Sequence, residues 1–146
     1  MKLVIAGLRG FDSAQIGEMI ADLRLSEMVR CTGWIPREEL YGLYAGADAF
    51  VYPTTFEGFG MTLLEGMAAG LPVACSDIEP VRTLAGKAAI LFDPLSTREI
   101  EAALFRITED EDLRSCLRQA GPRRAGEFSW EAAARSTMEA LMDAVT

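Results

Sequence analysis

Histidine is absent from this 146-residue sequence. That absence removes the commonest general base, the serine and cysteine triads built on an imidazole, and most catalytic zinc sites. Any chemistry must then use carboxylates, backbone dipoles and cations. Cysteine is scarce as well. Cys31, Cys75 and Cys116 are odd in number and share no short spacing, which disfavours a disulfide framework and a Cys-x-x-Cys redox or zinc site. They read as packed thiols in a reducing compartment. Positive charge is short too, with 14 Lys and Arg against 22 Asp and Glu and a net charge of −8. So acidic a chain lacks the electrostatic footprint for a nucleic-acid backbone or an anionic membrane, and nucleic acid is not expected as a partner. No apolar run is long enough to cross a bilayer, and the N-terminus lacks the basic-then-apolar order of a signal peptide. The expectation is a soluble, cytoplasmic protein.

What is present is a strongly patterned half-apolar chain, of a length that suits one domain over residues 1–146. Runs rich in branched and aromatic residues at 2–6, 28–32, 49–52, 72–75 and 89–92 each end near Gly, Pro, Ser or Asp and read as strands. Between them stand helical stripes: Ile16, Met19, Ile20 and Leu23, then Leu40, Leu43, Tyr44 and Ala47. Strands alternating with helices predict an α/β fold, a Rossmann-like three-layer αβα arrangement with about five parallel strands. A helical C-terminal tail should follow. It begins with a Ser96-x-x-Glu99 capping box ahead of Ile100, Ala103, Leu104 and Ile107. A second helix should end at Gly121-Pro122. A third, capped by Ser129, carries Trp130, Ala134, Met138, Leu141 and Val145 along one face.

The most informative stretch is "TTFEGFGMTLLEGMAAGLP", residues 54–72. A glycine turn, Gly58-Phe59-Gly60, leads from the third strand into a helix that should run to Ala69, with Gly70 at C′ and Pro72 beyond. The first turn of such a helix has unpaired N–H groups and partial positive charge, and glycines let an anion approach the backbone, which makes it a seat for phosphate. The helix is apolar or small on nearly all sides except at Thr62 and Glu65. A carboxylate buried there needs internal donors or a hydroxyl-bearing ligand. The alternative is that Glu65 reaches an exposed edge or an arginine from the next element. Glu57 lies eight residues earlier, at the mouth of the loop.

Taken with its flanks, "FVYPTTFEGFGMTLLEGMAAGLPVACSD" resembles the E-x7-E segment of retaining glycosyltransferases with the GT-B fold, the family 4 or group 1 set. The resemblance extends through "VRCTGWIPREELYGLYAGADAFVYP", "AILFDPLSTREIEAAL" and "EFSWEAAARSTMEAL", essentially the whole chain. It implies a donor-binding lobe that moves a mannose- or glucose-type hexose from a UDP- or GDP-sugar to an acceptor with retention, without an essential metal or other cofactor. It implies that Glu57 hydrogen-bonds the donor sugar as the catalytic glutamate and that Glu65 accepts from the ribose hydroxyls. Gly58 and Phe59 would belong to the donor loop, the amides of Gly60, Met61 and Thr62 would face the diphosphate, and the backbone of Ile35 in "GWIP" would lie against the base. Trp34 and Tyr41, near that turn, read as core or edge packing rather than as stacking platforms.

The sequence also departs from the family pattern. The lobe would lack its first strand and helix, with the basic pair that neutralises the leaving diphosphate, and the N-terminal acceptor lobe, through which alone peripheral membrane association would arise. Arg9 is a weak substitute for that pair, and its reading as an ordinary surface charge is favoured. Arg82 stands where the family often has Pro-Glu, and either lines the site or is a surface charge. The isolated chain is therefore expected to be inactive. The alternative reading is a non-catalytic nucleotide- or partner-binding module that completes a GT-B enzyme in trans. A nucleotide-sugar epimerase is disfavoured by the missing histidine, and a receiver domain by the lack of an acidic cluster after "KLVIAGLRG".

Overall fold

The computed structural model describes residues 2–7, 10 and 13–144. Arg9 and Val145 lie outside the described residues. The chain divides into two compact units, Met1–Ala45 and Gly46–Thr146.

In the first unit, β1 (Leu3–Ala6) and β2 (Val29–Gly33) pair in parallel, joined through α1 (Ser13–Asp22). The ladder slips after Ile5, which pairs with Cys31, so that Ala6 faces Gly33. Pro36 then leads into α2 (Arg37–Gly46), whose first turn carries Glu38 and Glu39 where the helix dipole favours negative charge. The expected apolar stripes fall on the helices as far as Ile20 and Tyr44, with Leu23 and Ala47 just past the helix ends, yet little of this unit is buried. Leu3, Val4, Ile5, Met19 and Leu23 are exposed, and Tyr44 is the one buried side chain of α2. So short a segment cannot enclose a core of its own.

The second unit holds the core. Its sheet is parallel, in the order β3 (Phe50–Tyr52), β4 (Val73–Ser76), β5 (Ile90–Phe92). All five strands expected from sequence are present and pair in parallel, their ladders shared between a two-stranded and a three-stranded sheet. The central β4 is wholly buried, and successive side chains point to opposite faces. Val73 and Cys75 pack with Leu63, Leu64, Met67, Val81 and Leu84, whereas Ala74 packs with Ile90, Phe92, Ala103, Ile107 and Leu117. The first group comes largely from α3 (Met61–Ala68) and α4 (Val81–Ala85), the second from α5 (Thr97–Glu109) and α6 (Glu111–Ala125). Within this unit, helices therefore cover both faces of the sheet.

Helix ends follow the sequence signals closely, with two exceptions. Helix α3 stops where expected: the Gly70 N–H bonds to Met67 O at 3.0 Å and the Leu71 N–H to Gly66 O at 3.3 Å, the paired bonds of a Schellman motif. Ser96 caps α5 by accepting from the Glu99 N–H at 3.3 Å, but Glu99 does not reach back to Ser96. It accepts instead from the Asp93 N–H at 2.9 Å. The second exception is a correction: α6 does not end at Gly121-Pro122 but runs through Pro122 to Ala125. Tertiary packing overrides the proline. A Cβ at Gly121 would stand 3.1 Å from Met67 O, so the glycine serves close approach to α3 rather than termination. Arg124, one turn on, is anchored in α4. Finally, α7 (Trp130–Asp143) starts at the expected cap, Ser129, and none of its residues is buried. Its stripe of Trp130, Met138 and Leu141 is exposed.

Candidate functional site

The segment carrying Glu57 and Glu65 runs from the C-terminal end of β3 through a loop into α3. Ligands of open α/β sheets gather at the carboxyl ends of strands, and this loop lies at such an end. Gly60 is the N-cap, with φ of 107°, and no side chain caps the helix. Its geometry demands glycine twice over, since a Cβ would also lie 3.1 Å from the Leu84 side chain. Met61 and Thr62, the first two helical residues, are exposed, whereas Gly60 before them and Leu63 and Leu64 after them are buried, so the start of the helix meets solvent on one side. An uncapped helix start with a glycine before it and one side toward solvent is an arrangement that accepts an anion.

Glu65 lies on the exposed stripe of α3 with Met61, Thr62, Ala68 and Ala69, and is itself half-buried. The opposite side, Leu63, Leu64, Gly66 and Met67, is buried. The carboxylate therefore occupies the edge that the sequence left open as an alternative, on the same side of the helix as its uncapped start. Glu57 is half-buried in the loop, and one of its carboxylate oxygens accepts a hydrogen bond from the Tyr52 hydroxyl. Thr54 shapes the loop tip, its hydroxyl donating to Phe56 O at 2.8 Å. Gly58 and Phe59 are exposed, and the Phe59 ring meets Phe128 edge-on at 6.4 Å between centroids.

Glu57, Gly58, Phe59, Gly60, Met61, Thr62 and Glu65 thus belong to one short stretch of the second unit. Ile35 belongs to the first, where it is half-buried in the turn after β2. Trp34 and Tyr41 of that unit are 69% and 50% exposed, so of the core or edge packing expected for them the core is excluded. Arg82 is a paired surface charge: it bonds to the Asp77 carboxylate and, at 3.0 Å, to Asp77 O, and lies 3.6 Å from Glu79. Its hydrogen bond to Asp77 holds the guanidinium above its ordinary pKa. A cavity of about 440 Å³ beyond β4 and β5 is lined by Thr55, Asp77, Ile78, Asp93, Pro94, Leu95 and Glu99, and by neither Glu57 nor Glu65.

Three features escaped the sequence reading: α4, the Tyr52–Glu57 bond and the Arg124 anchor. Arg124 donates to Leu84 O at 2.9 Å and to Thr83 O at 2.7 Å, pairs with Glu127 and stands 4.8 Å over the Phe128 ring. Its carbonyl partners in α4 lie about forty residues away, and no local pattern announces them.

The reading of all three cysteines as packed thiols is corrected at two of them: Cys31 and Cys116 are exposed, and Cys75 is buried. Burial, and then the neighbouring Asp77, push Cys75 up from 9.0 to about 12. The unfolded chain begins to lose this proton near pH 9 while the folded chain keeps it, so the contribution to stability is intact below that pH and declines as pH rises toward 12. Exposed Cys31 and Cys116 should therefore react promptly with a thiol reagent at pH 8, with Cys75 following only on unfolding. Three prompt equivalents would contradict the packing described for β4.

The second unit is a three-layered α/β arrangement with parallel strands and a glycine loop that enters an uncapped helix, and comparison with known proteins gives its family. The sequence model described as "Glycosyl transferases group 1" matches residues 1–124, and the chain belongs to that family. It is 33% identical over 138 residues to O-antigen chain mannosyltransferase B of Escherichia coli, covering 94% of this chain and 36% of that protein. It is 31% identical over 132 residues to an MMP alpha-(1->4)-mannosyltransferase of Mycolicibacterium hassiacum, covering 88% of this chain and 32% of that one. The chain thus spans about a third of the length of these curated relatives. Among solved structures, HepE of Anabaena in complex with UDP superposes with a TM-score of 0.85 at 20% identity, over 98% of this chain and 41% of that one. The fold is that of GT-B C-terminal lobes.

No helix among the described residues is long and apolar enough to cross a membrane.

Proposed function

We propose that this chain is the donor-binding lobe of a cytoplasmic glycosyltransferase that moves a hexose of mannose or glucose type from a nucleoside-diphosphate sugar to an acceptor, with retention and without an essential metal. The observation that carries the reading is the disposition of α3: an open, glycine-led first turn with Glu65 on the same exposed side and Glu57 at the loop mouth. In this reading the amides of Gly60, Met61 and Thr62 receive the diphosphate, Glu65 the ribose hydroxyls and Glu57 the sugar hydroxyls, with Gly58 and Phe59 shaping the loop. The backbone of Ile35 serves the base. The mannosyltransferases among the relatives support the hexose class, and HepE, solved with UDP and glucose, supports the donor class.

The acceptor lobe and the cations for the leaving diphosphate belong to sequence outside this chain, in keeping with the third of its relatives that it spans. Loss of one preorganised donor from a comparable site costs about 2.7–4 kcal/mol of transition-state stabilisation, and here a whole lobe is lacking. Transfer assays with UDP- and GDP-sugars on the isolated chain should show no turnover above background. Turnover by this chain alone would refute the assignment of those groups to another segment.

A further inference from the structure

We propose that Tyr52 is a positioning residue for Glu57, presenting one carboxylate oxygen to the hexosyl hydroxyls by occupying the other. This rests on the reading of Glu57 as the glutamate that meets the donor sugar. The hydroxyl of Tyr52 donates to Glu57 Oε1, across five residues and from strand to loop. No other hydrogen bond to this carboxylate is recorded among the described residues. A loop glutamate held by a single charge-assisted bond has its rotamer set by that donor.

The donor itself is rigidly placed. Tyr52 ends β3 in register with Cys75, and its carbonyl accepts from the Ser76 hydroxyl at 3.2 Å. Its ring stacks on Phe50 with centroids 6.0 Å apart and planes 23° from parallel. Phe50 in turn lies hard beneath α3: a Cβ at Gly66 would stand 2.5 Å from the Phe50 ring. The phenol therefore reports the position of the buried sheet and of α3, the helix whose first turn and Glu65 form the rest of the site. Through it, the loop carboxylate is keyed to the same framework as the diphosphate seat. Ordering Glu57 before the ligand arrives lowers the entropy lost on binding. Phenylalanine at this position keeps the ring and removes the hydroxyl.

The test uses the 146-residue chain labelled at tyrosine 13Cζ, with Glu57→Gln, Tyr52→Phe and the double variant. The Tyr52 resonance should shift on Glu57→Gln in the absence of ligand, a signature that packing alone does not produce. UDP, GDP, UDP-glucose and GDP-mannose are then titrated to millimolar concentration. The sugar-bearing form should bind more tightly than the bare diphosphate in the wild type. Each single variant should lose roughly tenfold of that preference, the scale of one hydrogen bond to a charged group, with diphosphate affinity unchanged in Tyr52→Phe. The double variant should lose no more than either single. Loss in Glu57→Gln with none in Tyr52→Phe overturns the role of Tyr52 and leaves Glu57 in place. No preference in the wild type, or none lost in Glu57→Gln, overturns the reading of Glu57 and the proposal with it. Should Tyr52→Phe fail to fold, an unmoved Tyr52 resonance in Glu57→Gln is the overturning result.

Discussion

Glu65→Ala is expected to weaken nucleotide binding by about tenfold to a hundredfold, the range for losing a hydrogen bond to a charged acceptor. The argument starts from position. Glu65 is half-buried on the exposed stripe of α3, one turn from the uncapped helix start, while the residues flanking it on the inner face are buried. Alanine there removes the acceptor proposed for the ribose hydroxyls and leaves Leu64 and Gly66 packed as before. It also raises helix propensity slightly. Titrating UDP and GDP into wild type and variant, with a melting curve on each, separates the two effects. Equal affinity in a folded variant would remove Glu65 from the site.

The second large effect concerns stability. Arg124→Ala should cost about 2–3 kcal/mol, because it deletes two charge-assisted bonds to the carbonyls of Thr83 and Leu84 together with the contact over Phe128. Those carbonyls close the five-residue α4, too short to hold itself. Glu127 is 60% exposed, so its pair with Arg124 is screened and adds little, and the figure stays below the sum of its parts. Arg124→Lys should recover little of the loss, since an ammonium cannot reproduce the guanidinium fork that reaches both carbonyls. Urea unfolding at constant m-value measures it. A change below about 0.5 kcal/mol, the scale of an ordinary surface substitution, would mean that α4 is held by other contacts.

Much of the fold was legible because its signals are local. The run at 72–75 reads as a strand, which the structure places at Val73–Ser76, and Ser96, Ser129 and Gly70 mark helix ends through bonds that span only a few residues. The misread features depend on distance in space. Pro122 looked like a stop because the contacts that hold the helix around it, Gly121 against the backbone of Met67 and Arg124 on the carbonyls of α4, are remote in sequence. Apolar patterns give the number of strands and their direction, whereas the division of ladders between two sheets depends on backbone pairing that no side-chain period encodes. In the candidate site, the loop and helix start were legible from Gly58, Gly60 and the two glutamates. The burial argued for Glu65 was not, because a helix of small residues looks apolar all round even where Ala68 and Ala69 face solvent. Tyr52 read simply as a strand residue, since the alternation that places its ring says nothing of where its hydroxyl ends.

The central claim is that the start of α3 seats a nucleoside diphosphate. The most direct measurement is a titration of UDP and of GDP into the chain, following backbone amide shifts by NMR. The account predicts saturable shifts at Gly60, Met61 and Thr62 with one of the two nucleotides, weakened in Glu65→Ala. Unmoved amides at those positions in a folded chain, with either nucleotide at millimolar concentration, would contradict it.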